Sequence, residues 1–332
     1  VTTDQWISDE TEPKERDFRG ILGMHMRICQ SIRSRYPGAP YLYADLYAGP
    51  GHLSHNGRSF LGSPLIFLDL AQQMQLPYEA ICFEKDADVA RRLVEAAKET
   101  GAFPPQVYAA RCEVGFSDWL SSYGRQPQRL GLIFSDPIND EIAHRLLAKA
   151  AAMLPKVDIL TYVAATQYKR RRGADPLKPF LLDHVRAIGK KTVLIRRPQA
   201  AWQFTFILLS NWPNLPEWRK RGFYRLDSET GEHVMDQLNL SSSEHRAAAN
   251  TPLPFDNEPP YRTYREYLKH PRFLKIRAEV FARAAGVCER CGGRPPTEPH
   301  HLRYPPWGTF DVPENMIAVC HPCHCEIHGK IN

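Results

Sequence analysis

The sequence predicts an α/β fold, a mainly parallel sheet built from βαβ units, followed by a small C-terminal module of different construction. Two observations predict the sheet. Six short apolar runs recur between residues 41 and 212, and amphipathic stretches of helical period separate several of them. A third observation predicts the module: five of the eight cysteines fall within the last 45 residues.

Taken in chain order, residues 1–40 read as a helical lead-in, because GILGMHMRICQSIRSRY spaces its apolar positions at nearly a helical period. Residues 41–212 carry the strand-like runs YLYADLYAG, YEAICFEKD, RLGLIFSDP, VDILTYVAA, KKTVLIRRP and QFTFILLSN. Helical patterns such as ADVARRLVEAAKETG and DEIAHRLLAKAAAML lie between them, the rhythm of a parallel sheet with crossover helices. The last run follows a short turn and is expected to be an antiparallel edge strand. Residues 213–260 are irregular and polar and read as a peripheral segment and linker. From 261 to 332 the pattern changes again, and the helix HPRFLKIRAEVFARAAG leads directly into the cysteines.

Composition narrows the function classes. An apolar share of 43% is that of a globular chain. Lys and Arg exceed Asp and Glu by 43 to 37, so the net charge of +6 permits a polyanionic partner without demanding one. No run of about eighteen apolar residues suggests a membrane span, and the polar start has no apolar signal core. A cytoplasmic protein is expected.

The cysteines then define a site. Cys288-x-x-Cys291 and Cys320-x-x-Cys323 stand 28 residues apart, two close thiolate pairs that suit tetrahedral zinc better than a surface disulfide. A four-cysteine site is closed and therefore structural. A module of this size needs such a staple, because it buries too little apolar surface alone.

Between and after the pairs lie His300, His301, Asn315, His324 and His328, with the last two on one helical face. The run PHHLRYPPWGTFDVPENMIAVCHPCHCEIH resembles the HNH endonuclease family across residues 285–330. That resemblance implies a ββα-metal fold of two strands and a helix around one divalent cation. It implies His300 and His324 as metal ligands with His328 as a possible third, His301 as general base, and Asn315 as the residue that holds the loop. Imidazole titrates near neutral pH, as water activation requires, and a cation supplies the charge stabilisation that phosphodiester hydrolysis needs. Two imidazoles and no obvious carboxylate make a lean site. Mg²⁺ prefers oxygen ligands, so Mn²⁺, Ni²⁺ or Zn²⁺ is chemically plausible beside Mg²⁺, and the residues leave the identity of this divalent metal open. Arg303, Tyr304 and Trp307 are candidates for phosphate contact or stacking.

The larger domain carries its own motifs. Asp45-Leu46-Tyr47-Ala48-Gly49-Pro50-Gly51 follows the first apolar run, Glu84 ends the second, and Asp136-Pro137 ends GLIFSDP. This ordered set resembles S-adenosylmethionine-dependent methyltransferases of Rossmann-like fold. With GSPL at 62–65 it resembles the three-Cys-motif partner proteins over about residues 15–215. The likeness implies glycines that admit the cofactor backbone, Asp45 near its amino-acid portion, and Glu84 on the ribose hydroxyls. Asp136-Pro137-Ile138-Asn139 lacks the aromatic that closes the amino-methyltransferase motif, so the resemblance favours binding of an adenosyl ligand over methylation of a base.

Basic runs complete the inventory: QYKRRRG with Lys169, Arg170, Arg171 and Arg172, then GKKTVLIRRP, then WRKRGFYR. Beside Trp202, Trp212, Trp218, Phe223 and Tyr224 they suit a surface that tracks phosphates and stacks bases. The expected function is a metal-dependent nuclease acting on nucleic acid, with DNA the expected form, directed or restrained by a ligand-binding domain. The resemblances imply phage or mobile-element defence as context, a protein partner of a defence complex, and a homodimer for double-strand cutting. The alternatives are a nucleic-acid methyltransferase with an accessory zinc module, and a sensor whose nuclease acts only within a complex.

Overall fold

A computed structural model of the chain describes residues 11–35, 39–137, 144–166, 168, 177–198, 203–212, 216–240, 244, 263–303 and 311–328. The chain divides into two compact units, Val1–Thr251 and Pro252–Asn332.

The first unit is built on one eight-stranded sheet. Its strands are β1 (Tyr41–Asp45), β4 (Tyr78–Glu84), β5 (Gln106–Ala109), β6 (Gly131–Ser135), β7 (Val157–Ala164), β8 (Thr192–Arg196), β9 (Phe204–Ser210) and β10 (Phe223–Arg225). They lie in the order β10-β8-β9-β7-β6-β1-β4-β5. The five strands from β5 to β7 run parallel, while β9 runs antiparallel to both β7 and β8. That is a Rossmann-like sheet of methyltransferase type, as the sequence predicted. β2 (His52–His55) and β3 (Arg58–Leu61) form a separate hairpin inserted after β1.

The helices are α1 (Thr11–Ile32), α2 (Ser63–Gln73), α3 (Ala87–Glu99), α4 (Cys112–Tyr123), α5 (His144–Met153), α6 (Leu177–Ile188), α7 (Pro216–Arg219) and α8 (Glu229–Asn239). α1 is more than a lead-in. Phe18, Ile21, Leu22 and Met26 are buried in the same cluster as Phe67, Phe134, Leu160 and Phe206. Asp17 also pairs with Arg196 of β8, where both side chains are buried. A lone buried charge is costly, so this pair ties α1 to the sheet.

Three features depart from the sequence reading. β9 is antiparallel but interior: all seven of its residues are buried, and β7 and β8 flank it. A run as apolar as FTFILLS is suited to a strand covered on both faces, where an edge would leave backbone groups unpaired. The edge belongs instead to β10, which lies inside the segment read as peripheral and pairs with β8. At three residues β10 is too short to leave a periodic signal, and the same holds for half-exposed β5.

The second unit begins with α9 (Tyr264–Lys269) and α10 (Pro271–Arg283). The hairpin of β11 (Glu298–His301) and β12 (Met316–Val319) follows, and the unit closes with α11 (His321–Ile327). Phe273, Ile276 and Val280 recur at helical spacing on α10 and pack against Tyr267, Met316 and Ala318. Among the described residues, no helix is long and apolar enough to cross a membrane.

Candidate functional site

The two C-x-x-C pairs converge. The sulfurs of Cys288, Cys291, Cys320 and Cys323 all lie within 4.8 Å of one another, and those of Cys291 and Cys320 are 3.9 Å apart. Tetrahedral zinc with Zn–S near 2.3 Å requires edges of roughly 3.8 Å, so the four thiols fit that ion. Burial pushes the Cys288 thiol up, but the backbone amides of Cys291, Cys320 and Arg290 outweigh it and hold the group at about 6. Burial and the neighbouring thiols push Cys323 up to about 12. Zinc takes the thiolate form, so its binding at these cysteines would release thiol protons.

The histidines divide by the alternation of β11. Successive strand residues face opposite ways, so adjacent His300 and His301 serve different surroundings. His300 faces α11, where His324 and His328 stand one turn apart. The ring nitrogens of His300, His324 and His328 all lie within 4.8 Å of one another. The His324 and His328 rings are 4.6 Å apart, and both meet the His300 ring edge-on. Burial and the neighbouring His324 and His328 lower the pKa of His300, the direction that favours the neutral imidazole a metal ligand needs.

A carboxylate that the sequence reading missed completes this face. Glu298, two residues before His300, places one oxygen 2.5 Å from Nδ1 of His324 and the other 2.6 Å from Nδ1 of His321. The hydrogen bond from His321, with His324 and His328 nearby, lowers the pKa of Glu298. The alternation of β11 was the available signal, since Glu298 shares a face with His300.

His301 faces the other way, toward α9 and α10. Its Nε2 lies 3.3 Å from the hydroxyl of Tyr267 and 3.0 Å from Asp311 Oδ2. Burial lowers its pKa and Asp311 opposes that shift. Asn315 ends the loop between the strands. Its side-chain amide donates to the carbonyl of Arg303 and to Asp311 Oδ1, both at 2.5 Å, and its own carbonyl accepts from Leu302 N at 2.9 Å. Tyr304 and Trp307 lie outside the described residues.

In the larger unit the motif residues gather at the C-terminal ends of β1, β4 and β6, where open α/β sheets bind ligands. Asp45 is wholly buried and accepts from Tyr43 Oη at 2.8 Å and Tyr47 N at 3.1 Å. Burial raises its pKa to about 6 against the opposing bonds from Ser63, Tyr43 and Tyr47. Glu84 accepts from Gly49 N at 3.1 Å and Asp86 N at 3.0 Å, so it clamps the glycine turn. Gly49 and Gly51 have φ of +65° and +84°, conformations that favour glycine. A Cβ on Gly49 would meet nothing within 4 Å. Asp136 forms a salt bridge with Lys14 of α1, whose ammonium also lies 3.9 Å from the centre of the Tyr162 ring.

The basic runs fare differently. Lys169, Arg170, Arg171 and Arg172 lie outside the described residues, as does Trp202. Lys190 is turned inward onto the carbonyls of Pro155 and Val157, Arg196 holds Asp17, and Trp218 and Phe223 are buried in the core. Those four residues are internal and do not form a stacking surface.

No protein-family model matches the chain. Over 80 residues it is 30% identical to the type IV methyl-directed restriction enzyme EcoKMcrA of Escherichia coli (strain K12). The match covers 21% of this chain and 28% of that enzyme, so the chain spans just over a quarter of the relative's length. Among solved structures, protein LPL1258 of Legionella pneumophila aligns with a TM-score of 0.42 at 12% identity, over 60% of this chain and 88% of its own. An rRNA methylase of Streptococcus thermophilus aligns at 0.33 and 9%, over 61% and 97%. Precorrin-6y C5,15-methyltransferase of Geobacter metallireducens aligns at 0.37 and 10%, over 64% and 94%. Likenesses at that level carry no functional weight. The sequence likeness to that restriction enzyme is of low identity and confined to a short stretch.

Proposed function

We propose that the chain is a metal-dependent HNH-type endonuclease that hydrolyses phosphodiester bonds in nucleic acid, with DNA as the substrate. The observation that carries this is the division of labour at β11. One face gathers three neutral-capable imidazoles, and the other holds a single imidazole against a carboxylate. His300, His324 and His328 would hold the catalytic cation, for which three nitrogens favour Mn²⁺, Ni²⁺ or Zn²⁺ over Mg²⁺. When bound, such a cation supplies Lewis acidity at the scissile phosphate and its leaving oxygen. His301 takes the proton from the attacking water. Asn315 fixes the loop that follows His301, and the four cysteines fix the frame with zinc. The relative is named a methyl-directed restriction enzyme, which supports DNA over RNA and a role in defence against foreign DNA. One such site breaks one strand, so a double-strand cut calls for a homodimer or a protein partner.

The test is cleavage of plasmid, linear DNA and RNA by purified protein across a panel of divalent cations. Metal-dependent cutting is expected, and His301→Ala should reduce it by roughly 10²–10⁴-fold with fold and zinc content unchanged. Undiminished cutting by that variant sinks the assignment.

For the larger unit we propose binding of an adenosyl ligand such as S-adenosylmethionine that directs or restrains the nuclease. Asp45, Gly49, Gly51, Glu84 and Asp136 at adjoining strand ends support a ligand site. The Lys14–Asp136 salt bridge speaks against base methylation, because the carboxylate that would accept a substrate amine already holds an ammonium. Cutting that appears only on addition of a ligand or partner would identify the chain as a sensor nuclease.

A further inference from the structure

We propose that the outer face of α9 and α10 is a docking surface for the phosphate backbone of a DNA duplex, with Arg265, Lys269, Arg272 and Lys275 as its contacts. This rests on the nuclease reading for its substrate, and it assigns the side of the smaller unit on which that substrate is held.

Positive charge is concentrated on these helices. Residues 264–283 carry six cations and two acids, a surplus of four, while the whole chain of 332 residues has a surplus of six. Each helix turns its apolar side inward: Tyr267 on α9, and Phe273, Ile276 and Val280 on α10, are buried. The helical period then places Arg265 and Lys269 opposite Tyr267, and Lys275 opposite the α10 stripe with Arg272 at its flank. All four are exposed. Among the described residues, Arg265, Lys269 and Lys275 form no ion pair.

A solvated helix face ordinarily sets opposite charges three or four residues apart. Here Arg265 and Lys269 are four apart and Arg272 and Lys275 three apart, so like charges are neighbours. That spacing opposes the helix slightly, and a polyanion laid along the face turns the repulsion into attraction.

Two sets of contacts tie this face to the candidate site. On α9, the buried ring of Tyr267 lies 6.1 Å from that of His301 and stacks at 5.7 Å on the half-exposed ring of Tyr264. Arg265 and Lys269 therefore stand one helix thickness outside the residue packed on His301. At the end of α10, Arg283 binds both oxygens of Glu289, from Nε at 2.9 Å and Nη2 at 3.1 Å. It also donates to the carbonyls of Pro313 and Met316 at 2.7 and 2.5 Å. Glu289 accepts in turn from Ala318 N at 2.6 Å. α10 is thus fastened to β12 and to the turn that carries Asn315. A duplex gripped on α10 is held in fixed register with the hairpin that carries His300 and His301. Phosphate contacts of this kind set position and orientation and read no sequence.

The experiment measures binding apart from cutting. It uses the full zinc-loaded chain, a short fluorescent DNA duplex and no divalent cation beyond the structural zinc, and reads anisotropy across a salt series. The triple variant Arg265→Gln, Lys269→Gln, Lys275→Gln should bind roughly tenfold or more weakly at about 0.1 M salt, and its slope of log K against log salt should shrink by about two to three. Neutralising exposed Arg35, Arg91 and Lys98 of the larger unit removes the same net charge and should leave affinity within about twofold and the slope unchanged. Zinc content and the unfolding transition of the smaller unit should stay as in the wild type, because the substituted groups are exposed. Should the triple variant not fold, Lys275→Gln alone should lower the slope by about one. A folded variant with wild-type affinity and slope overturns the proposal, and so does an equal loss in the control variant. A wild type that binds RNA or an acidic protein but no duplex DNA overturns it as well. If the wild type binds DNA with the expected salt dependence and cuts none with any cation, the nuclease reading fails and the docking surface stands. If it cuts DNA and the triple variant binds undiminished, the docking surface alone fails.

Discussion

Nδ1 of His324 lies 2.5 Å from Glu298 Oε2, across from the hairpin strand that also carries His300. A carboxylate on one imidazole nitrogen leaves the other for a cation and orients the ring toward it. With a cation on the three histidines Glu298 would serve as His324's support, while its other oxygen is hydrogen-bonded to His321 Nδ1.

Replacing Glu298 with Ala should lower affinity for Mn²⁺ or Ni²⁺ roughly 10–100-fold. The structural zinc should remain at one per chain, because the thiols are untouched. Competition titration against a chelating dye reads the affinity, and an unchanged value rules out the supporting role.

Removing the structural zinc should unfold the smaller unit and spare the larger. Cys288→Ser, or a strong chelator, withdraws binding energy of roughly 10–16 kcal/mol from a module whose apolar cluster beside the cysteines has, among the described residues, seven buried members. Calorimetry should lose one transition and keep the other. Survival of both transitions in zinc-free protein would contradict a folding role for the metal.

Asp45 should make the larger unit less stable as pH rises. Its folded pKa, about 6, lies above the ordinary 3.8, so the folded chain keeps a proton that the unfolded chain has lost. Stability from the neutral form is therefore full below about pH 4, declines up to about pH 6 and stays reduced above. The penalty near neutrality is about 3 kcal/mol. Asp45→Asn should recover part of it near pH 7 and show no gain near pH 4, as read by urea unfolding of this unit. A pH-independent difference between the two proteins refutes the buried-carboxyl account.

The Lys14–Asp136 contact predicts binding without transfer. Calorimetric titration with S-adenosylmethionine should show a complex that Asp45→Ala weakens at least about tenfold, taking about 1.5–3 kcal/mol for each lost bond to a charged group. Labelled methyl should not appear in DNA or RNA. Label that does appear, and disappears in Asp136→Ala, would restore the methyltransferase alternative.

Much of the architecture was legible because burial leaves periodic traces. The six apolar runs became strands, and the parallel portion followed from the helices between them. The cysteine and histidine spacings pointed to residues that the fold brings together, since a short loop or one helical turn fixes such neighbours locally. β5, β10 and the interior place of β9 were not legible. Very short strands have no period, and an apolar run does not record how many neighbours cover it.

The sequence by itself determined which residues stand as candidates for the chemistry: the paired cysteines, the adjacent histidines, Asn315 and the glycine turn. Only the tertiary structure decided their partners. Asp311 stands ten positions from His301, Glu298 stands 26 from His324, and Lys14 stands 122 from Asp136. An isolated Asp, Glu or Lys in a sequence reads as ordinary surface charge. Its role appears when folding removes water from around it and leaves one particular group to satisfy it. The zinc knuckle and its histidines could be named from spacing, but which carboxylate supports which imidazole belongs to the fold.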